Sequence, residues 1–148
     1  MSDWNSLRNY LVNWIENKKG YIVHFATEGE LNIIDSDFNE IVIDERLSYE
    51  LQTYVLLHEC GHILTWENGM FLSLEKKASR HKAATFKERT FTVIEEIEAW
   101  KRGLSLAKRL NIPVDVVKWE EEMASAIGKY ITWSINPEGY ESIDGPKP

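Results

Sequence analysis

Residues 48–66, SYELQTYVLLHECGHILTW, are the segment that most restricts how this chain of 148 residues can fold. Ser48 is a good helix N-cap and the residues after it are mostly apolar, so the segment predicts one long helix. His58, Glu59 and His62 lie inside that helix. Histidines on an otherwise apolar helix cost free energy when they are buried without partners. The fold must therefore place compensating groups against them.

His58 and His62 are four residues apart, so a helix directs both imidazoles to one face, where they can bind the same metal ion. Neutral imidazole is a normal zinc ligand. Glu59 is rotated by about 100° from His58 and can contact a water on the metal instead of binding the metal itself. Zinc lowers the pKa of its water to about 7, and a neighbouring carboxylate accepts the proton as the water attacks a carbonyl carbon. The motif predicts one zinc ion per chain, with Glu59 as the catalytic general base.

A catalytic zinc site needs a third protein ligand, and the sequence offers His81, Glu95, Glu96 and Glu98. A helix predicted at about 92–110 separates the glutamates, because its apolar and small residues fill one arc of about 180°. Glu96 falls near the centre of that arc, Glu95 at its edge and Glu98 on the polar face. A buried carboxylate costs several kcal/mol unless it is paired or binds metal. Glu96 is the predicted third ligand, and pairing of Glu96 with a buried Lys or Arg is the alternative.

Two further helices follow from apolar residues at spacings of three and four. One runs from about residue 4 to Gly20, with Ser2 or Asp3 as its N-cap. The other runs from about Asp115 to Trp133. Together with the helix that carries the histidines and the helix that carries the glutamates, they give about four helices.

Three short β-rich runs precede the histidine helix, at residues 21–25, 31–34 and 40–44, and turn-forming residues separate them. They predict a small antiparallel sheet of about three strands. The chain length and composition are those of one compact domain. We therefore expect a single α+β domain over residues 1–148, with residues 136–148 as an extended C-terminal tail.

The net charge of −7 argues against a protein that coats nucleic acid or an anionic membrane through its overall charge. Residues 76–89 are the basic exception, and they predict a solvated loop, with a site for an acidic partner as the alternative. No signal-like N-terminus and no run of eighteen apolar residues occur. Cys60 is the single cysteine, agrees with a reducing compartment and is interpreted as a buried structural thiol. We expect a soluble, cytoplasmic protein.

HECGH on one helix and EIEAW at residues 96–100 on a later one resemble the HExxH zinc metallopeptidases whose third ligand is a glutamate, the gluzincins. Within that group the combination of HExGH and ExEA resembles small ImmA/IrrE-like proteins and phage-encoded predicted metallopeptidases. The resemblance covers about residues 40 to 110. It implies a zincin-like fold, a protein or peptide substrate, zinc ligands at His58, His62 and Glu96, and the general base at Glu59.

The resemblance also implies that the strand at residues 40–44 binds substrate along its edge, where a peptide would add as a further strand. The chain departs from the family at Trp100, four residues after the ligand glutamate. The family often has Asp or Asn there, which orients a ligand histidine, whereas an indole can only donate a hydrogen bond. The partner of the ligand histidines is therefore open, and Tyr130 and His81 are the candidates for the donor that stabilises the oxyanion.

These observations predict a zinc metallopeptidase that hydrolyses peptide bonds of a protein substrate with a zinc-bound water activated by Glu59. The alternative is a zinc-binding regulatory or interaction protein with a zincin-like fold and no proteolytic activity. The presence of Glu59 favours the enzyme, because a site that only binds zinc has no need of that base. Hydrolysis of a non-peptide amide is a third possibility.

Overall fold

The structure is a computed structural model that describes residues 2–69 and 85–138. In chain order its elements are α1 (Trp4–Lys18), β1 (Ile22–Ala26), β2 (Ile33–Asp35), β3 (Glu40–Asp44), α2 (Tyr49–Glu67), α3 (Phe86–Arg109) and α4 (Val116–Ile135). These four helices and three strands of the described residues confirm the expected α+β fold. None of the described helices combines the length and apolarity that crossing a membrane requires.

Side-chain caps lie at the start of three helices, and the sequence predicts two of them, at Asp3 and Ser48. The Asp3 carboxylate accepts a hydrogen bond from the Ser6 backbone N–H at 3.2 Å, and Asp115 caps α4 in the same way. The Ser48 hydroxyl accepts from the Leu51 N–H at 3.2 Å at the start of α2. After α1, Gly20 adopts a φ of +72°. Glycine adopts this left-handed conformation without steric strain, so it ends the helix at little cost in free energy.

The third helix begins at Phe86, six residues before the predicted start at residue 92. A capping box explains the difference: the Thr85 hydroxyl accepts from the Glu88 N–H at 3.1 Å, and the Glu88 carboxylate accepts from the Thr85 N–H at 3.3 Å. This first turn belongs to the basic stretch, which has no apolar periodicity. Hydrophobic spacing therefore gave no signal for it.

The sheet has the order β1-β3-β2 and is mixed, so the prediction of an antiparallel sheet is wrong for one of its two pairings. β2 and β3 form an antiparallel hairpin in which Ile34 lies opposite Ile41. β1 pairs with the other side of β3 and runs parallel to it, with Val23 opposite Ile41. After β1 the chain passes to the far side of the sheet and forms β2, which runs in the opposite direction. The hairpin then returns the chain as β3 between the two, so β3 is parallel to β1.

The central position of β3 also corrects the expectation that its edge binds substrate. Both sides of β3 already carry a neighbouring strand. Just before β2 begins, the Asn32 side chain accepts a hydrogen bond from the Asp44 N–H at 3.0 Å. On β1, one of the two outer strands, the Val23 N–H donates to the Glu16 carboxylate at 3.1 Å. A peptide cannot add to β3 without displacing one of its neighbours.

The chain divides into two compact units. The first contains Met1–Cys60 and Gly103–Val114, hence α1, the sheet, most of α2 and the end of α3. Its buried apolar side chains include Leu11, Ile15, Ile41, Ile43, Tyr54, Leu56, Leu57 and Leu106. The second contains Gly61–Arg102 and Asp115–Pro148. Its buried apolar side chains include Ile63, Ala99, Trp100, Trp119 and Trp133.

The single domain expected over residues 1–148 stays a prediction, and the expected tail at 136–148 lies outside the described residues beyond Glu138. Most of the basic stretch at 76–89 also lies outside them, up to residue 84. Within the described part, residues 86–89 of that stretch belong to α3 and not to a loop.

Gln52 anchors the beginning of α2 in the first unit. Its side chain is 1% exposed, and its amide nitrogen donates to the backbone carbonyls of Glu45 at 3.1 Å and Leu47 at 2.9 Å. Its amide oxygen accepts from Arg8 of α1 at 2.8 Å. The Arg8 guanidinium also lies over two aromatic rings, those of Phe25 and Tyr49. One buried amide thus joins α1, the loop after β3 and the helix that carries the histidines.

Candidate metal centre

His58, Glu59 and His62 are buried on α2, as the apolar character of the helix predicts. Their exposed fractions are 8%, 3% and 7%. They offer ligand atoms that all lie within 4.8 Å of one another. Nδ1 of His58 lies 3.3 Å from a carboxylate oxygen of Glu59. The helix therefore gathers two imidazoles and one carboxylate within a single turn.

His62 lies between two consecutive carboxylates of α3. Its Nδ1 lies 2.5 Å from Oε1 of Glu95, and its Nε2 lies 2.7 Å from Oε2 of Glu96. Both glutamates are buried, at 1% and 2% exposure. His62, Glu95 and Glu96 form a second group of ligand atoms within 4.8 Å of one another. Each nitrogen of the imidazole thus has its own carboxylate.

The surroundings of His62 act on its pKa in opposite directions. Burial lowers the pKa of this imidazole, because a charged ring loses its hydration. The negative charges of Glu95 and Glu96, and the hydrogen bonds that they accept, outweigh burial and raise the pKa well above the ordinary value of 6.5. The two carboxylates therefore attract positive charge to the ring, and a metal ion would be attracted by the same field.

The close approach of α2 and α3 at Gly61 puts these carboxylates within reach of His62. A Cβ at position 61 would lie 2.6 Å from the carbonyl carbon of Ala99 and 2.9 Å from its Cα. Real Cβ atoms essentially never come so near other heavy atoms. Glycine at position 61 and alanine at position 99 are small enough to allow this approach.

The sequence prediction for Glu96 agrees with its burial and with its contact to His62, but it missed Glu95. The helical arc placed Glu95 at the edge of the apolar face, whereas the structure buries it as fully as Glu96. The available signal was the pair itself: neighbouring residues on a helix point about 100° apart, so two consecutive glutamates can hold one imidazole between them.

Three other residues singled out from the sequence, Glu98, Cys60 and Trp100, lie within the described part of the chain. Glu98 pairs with Arg102 at 3.0 Å, and its side chain is 31% exposed, as expected of a solvated charge. Cys60 is buried, as predicted. Trp100 packs edge-on against Trp119, with ring centroids 5.0 Å apart. His81 lies outside the described residues.

These buried His and Glu groups could hold a metal ion. The predicted ligands are divided between the two groups, with His58 in one, Glu96 in the other and His62 in both. Imidazole nitrogen with carboxylate oxygen is a donor set of catalytic zinc sites. In the described part of the chain, Oε2 of Glu95 is buried without a hydrogen-bond partner, and a cation bound beside it would offset the cost of burying that oxygen. The residues present therefore fit a metal ion.

Comparison of the chain with protein-family models gives no match, and comparison with curated proteins and with solved structures gives none either. The resemblance to the gluzincins thus rests on the HECGH and EIEAW segments alone. What can be said about the site comes from its own residues: a buried pair of histidines one turn apart, three buried carboxylates, and one imidazole that contacts two of them.

Proposed function

We propose that this chain is a zinc metallopeptidase that binds one zinc ion through His58, His62 and Glu96 and uses Glu59 as its general base. The observation that carries the proposal is the position of His62, whose Nε2 faces the buried Glu96 carboxylate of α3. His62 lies within one helical turn of Glu59 on α2, and the two belong to the same group of ligand atoms. The resemblance to gluzincins supplies the substrate class, a protein or peptide.

The charge of the site supports a bound cation. Glu59, Glu95 and Glu96 are each at most 3% exposed, and the ion pairs described for them are made with the two histidines. Several carboxylates buried together are strongly unfavourable unless positive charge accompanies them. A bound zinc ion would add positive charge of this kind to the site.

The roles of the side chains follow from their chemistry. Zinc, when bound, supplies a Lewis acid that lowers the pKa of water and polarises a substrate carbonyl. Glu59 accepts the proton of the attacking water and can return it to the leaving amine. His58 and His62 present imidazole nitrogens from one helix face, and Glu96 presents a carboxylate from α3. Burial of Glu59 keeps bulk water from solvating its carboxylate, which strengthens its interaction with the water that it activates.

Metal analysis combined with a peptidase assay tests the proposal. The variants are Glu96→Ala and Glu59→Gln, with Glu98→Ala as the matched control on an exposed face of α3. Because the proposed site holds a single ion, we expect about one zinc per chain in the wild type, in Glu59→Gln and in Glu98→Ala. Glu96→Ala should bind much less zinc. A quenched peptide library should be cleaved by the wild type and Glu98→Ala only.

Each other result has a definite meaning. Full zinc occupancy in Glu96→Ala would contradict the ligand assignment, and cleavage by Glu59→Gln would contradict the mechanism. A wild type that holds zinc and cleaves neither peptides nor proteins would favour the regulatory or interaction protein, and hydrolysis of small amides alone would favour the non-peptide reaction. The cytoplasmic location and the acidic partner of residues 76–89 stay predictions.

A further inference from the structure

We propose that Glu95 is a positioning residue for His62: its carboxylate accepts the Nδ1–H and so fixes the tautomer whose Nε2 faces Glu96. This inference rests on the proposed metal site and identifies the partner that the sequence left open. Its basis is one juxtaposition, the buried Glu95 carboxylate 2.5 Å from Nδ1 of His62.

The two nitrogens of an imidazole are not equivalent, and the hydrogen bond at one decides what the other can do. Nε2 lies 2.7 Å from the Glu96 carboxylate. When a metal ion replaces the proton on Nε2, the proton that Glu95 holds on Nδ1 stays on the ring, and the Nε2 lone pair faces the side where Glu96 lies. A metal ion needs this form of the ring. Ligand histidines commonly donate their other N–H to a carboxylate, which also makes the metal-binding nitrogen more basic.

Geometry assigns different roles to the two glutamates. Nδ1 and Nε2 lie on different sides of the imidazole and direct their bonds away from each other. One metal ion on Nε2 therefore lies on the side of Glu96 and away from the Oε1 of Glu95 that contacts Nδ1. Glu96 can be a ligand of that ion, whereas Glu95 acts through His62.

The burial of Glu95 gives a second, independent reason. Its side chain is 1% exposed, and within the described residues Oε2 has no hydrogen-bond partner. Such a carboxylate is costly to bury, and its short contact with His62 is the compensation that the structure provides. A residue that only filled space at this position would be apolar.

Trp100 does not supply such an acceptor. The family that the chain resembles often has Asp or Asn at position 100, whereas here an indole stands there and packs on Trp119. An indole N–H donates and has no acceptor for an imidazole N–H. Glu95 supplies that acceptor from the residue next to the ligand glutamate, one position before it on α3.

The test compares Glu95→Ala, Glu95→Gln and the matched control Glu98→Ala. Zinc affinity is measured by competition with a chelator, and the protonation of His62 is read from nitrogen-edited NMR of the zinc-free and zinc-loaded proteins. We expect zinc affinity to fall roughly 10- to 100-fold in Glu95→Ala, the usual effect of removing such a partner. Glu95→Gln keeps a hydrogen-bond acceptor of the same shape. This variant should therefore retain the Nδ1–H tautomer and most of the zinc affinity that Glu95→Ala loses. Glu98→Ala should match the wild type.

The inference is overturned if Glu95→Ala keeps both the wild-type zinc affinity and the wild-type His62 signals. It is also overturned if Glu95→Gln loses zinc as completely as Glu96→Ala, because Glu95 would then be a ligand. A wild type without zinc affinity refutes the proposed function instead. In that case the zinc-free spectra still decide the inference, since a shifted Nδ1–H signal present in the wild type and lost in Glu95→Ala supports it, and its absence from the wild type refutes it.

Discussion

Gly61 of α2 lies so close to the backbone of Ala99 in α3 that no side chain fits between them. This contact determines how near the carboxylates of α3 come to His62. It also makes position 61 a place where one methyl group changes the site without touching any of its polar groups.

Gly61→Ala should therefore destabilise the protein and weaken metal binding together. The added Cβ would overlap the Ala99 carbonyl, so α3 must move or strain, and overpacking of this kind costs about 1–3 kcal/mol. Chemical denaturation and chelator competition measure the two effects.

Gly128→Ala is the matched control, because Gly128 lies in α4 with no atom within 4 Å of an added Cβ. At position 128 the alanine only reduces the backbone entropy of the unfolded chain, so the substitution should stabilise the folded protein by about 0.5–1 kcal/mol. Equal effects of the two substitutions would show that the contact with Ala99 does not limit the packing at position 61.

The zinc-free protein should lose stability as the pH rises above neutrality. The carboxylates raise the pKa of His62 in the folded state above its ordinary value of 6.5, which applies when the chain is unfolded. The contribution of His62 is then complete below about pH 6.5 and is lost as the pH rises through the folded-state pKa. Denaturation midpoints between pH 6 and pH 9 measure it, and Glu95→Gln should flatten the dependence. A midpoint independent of pH in the zinc-free wild type would contradict this account of His62.

Gln52→Leu should lower the free energy of unfolding by about 2 kcal/mol, since it leaves partly buried polar groups without their partner. The groups affected are the carbonyls of Glu45 and Leu47 and the guanidinium of Arg8. Asn5→Ala, at an exposed position of α1, is the control and should change stability by less than about 0.5 kcal/mol. If Gln52→Leu is as mild as the control, water satisfies these groups and the amide does not anchor α2.

The parts of this fold that local chemistry decides could be predicted from the sequence. Asp3, Ser48 and Asp115 begin their helices because each caps backbone N–H groups two or three residues ahead. The parallel pairing of β1 with β3 could not be predicted in this way. A two-residue alternation shows which side of a strand is buried but not which strand lies beside it or in which direction it runs.

In the candidate site too, the features that belong to one helix could be predicted, and those that depend on how two helices pack could not. The spacing of His58 and His62 and the position of Glu96 on an apolar arc are properties of single helices, so the sequence contains them. The contact of Glu95 with Nδ1 depends on where α3 crosses α2 and on the rotation of the His62 ring. Neither is encoded in the periodicity of one helix, and Glu95 was therefore placed at an edge that the crossing in fact buries.

His62 contacts a carboxylate at each of its two nitrogens, Glu95 at Nδ1 and Glu96 at Nε2, and a His62 variant therefore changes more than one interaction. Its ring separates two carboxylates whose ligand atoms lie within 4.8 Å of one another. Removing the ring would leave two like charges facing an empty, buried space, so a His62 variant would be disturbed even in a protein that had never held a metal. The imidazole is a spacer between repelling charges as well as a ligand candidate. Loss of function at position 62 alone therefore does not identify His62 as a metal ligand.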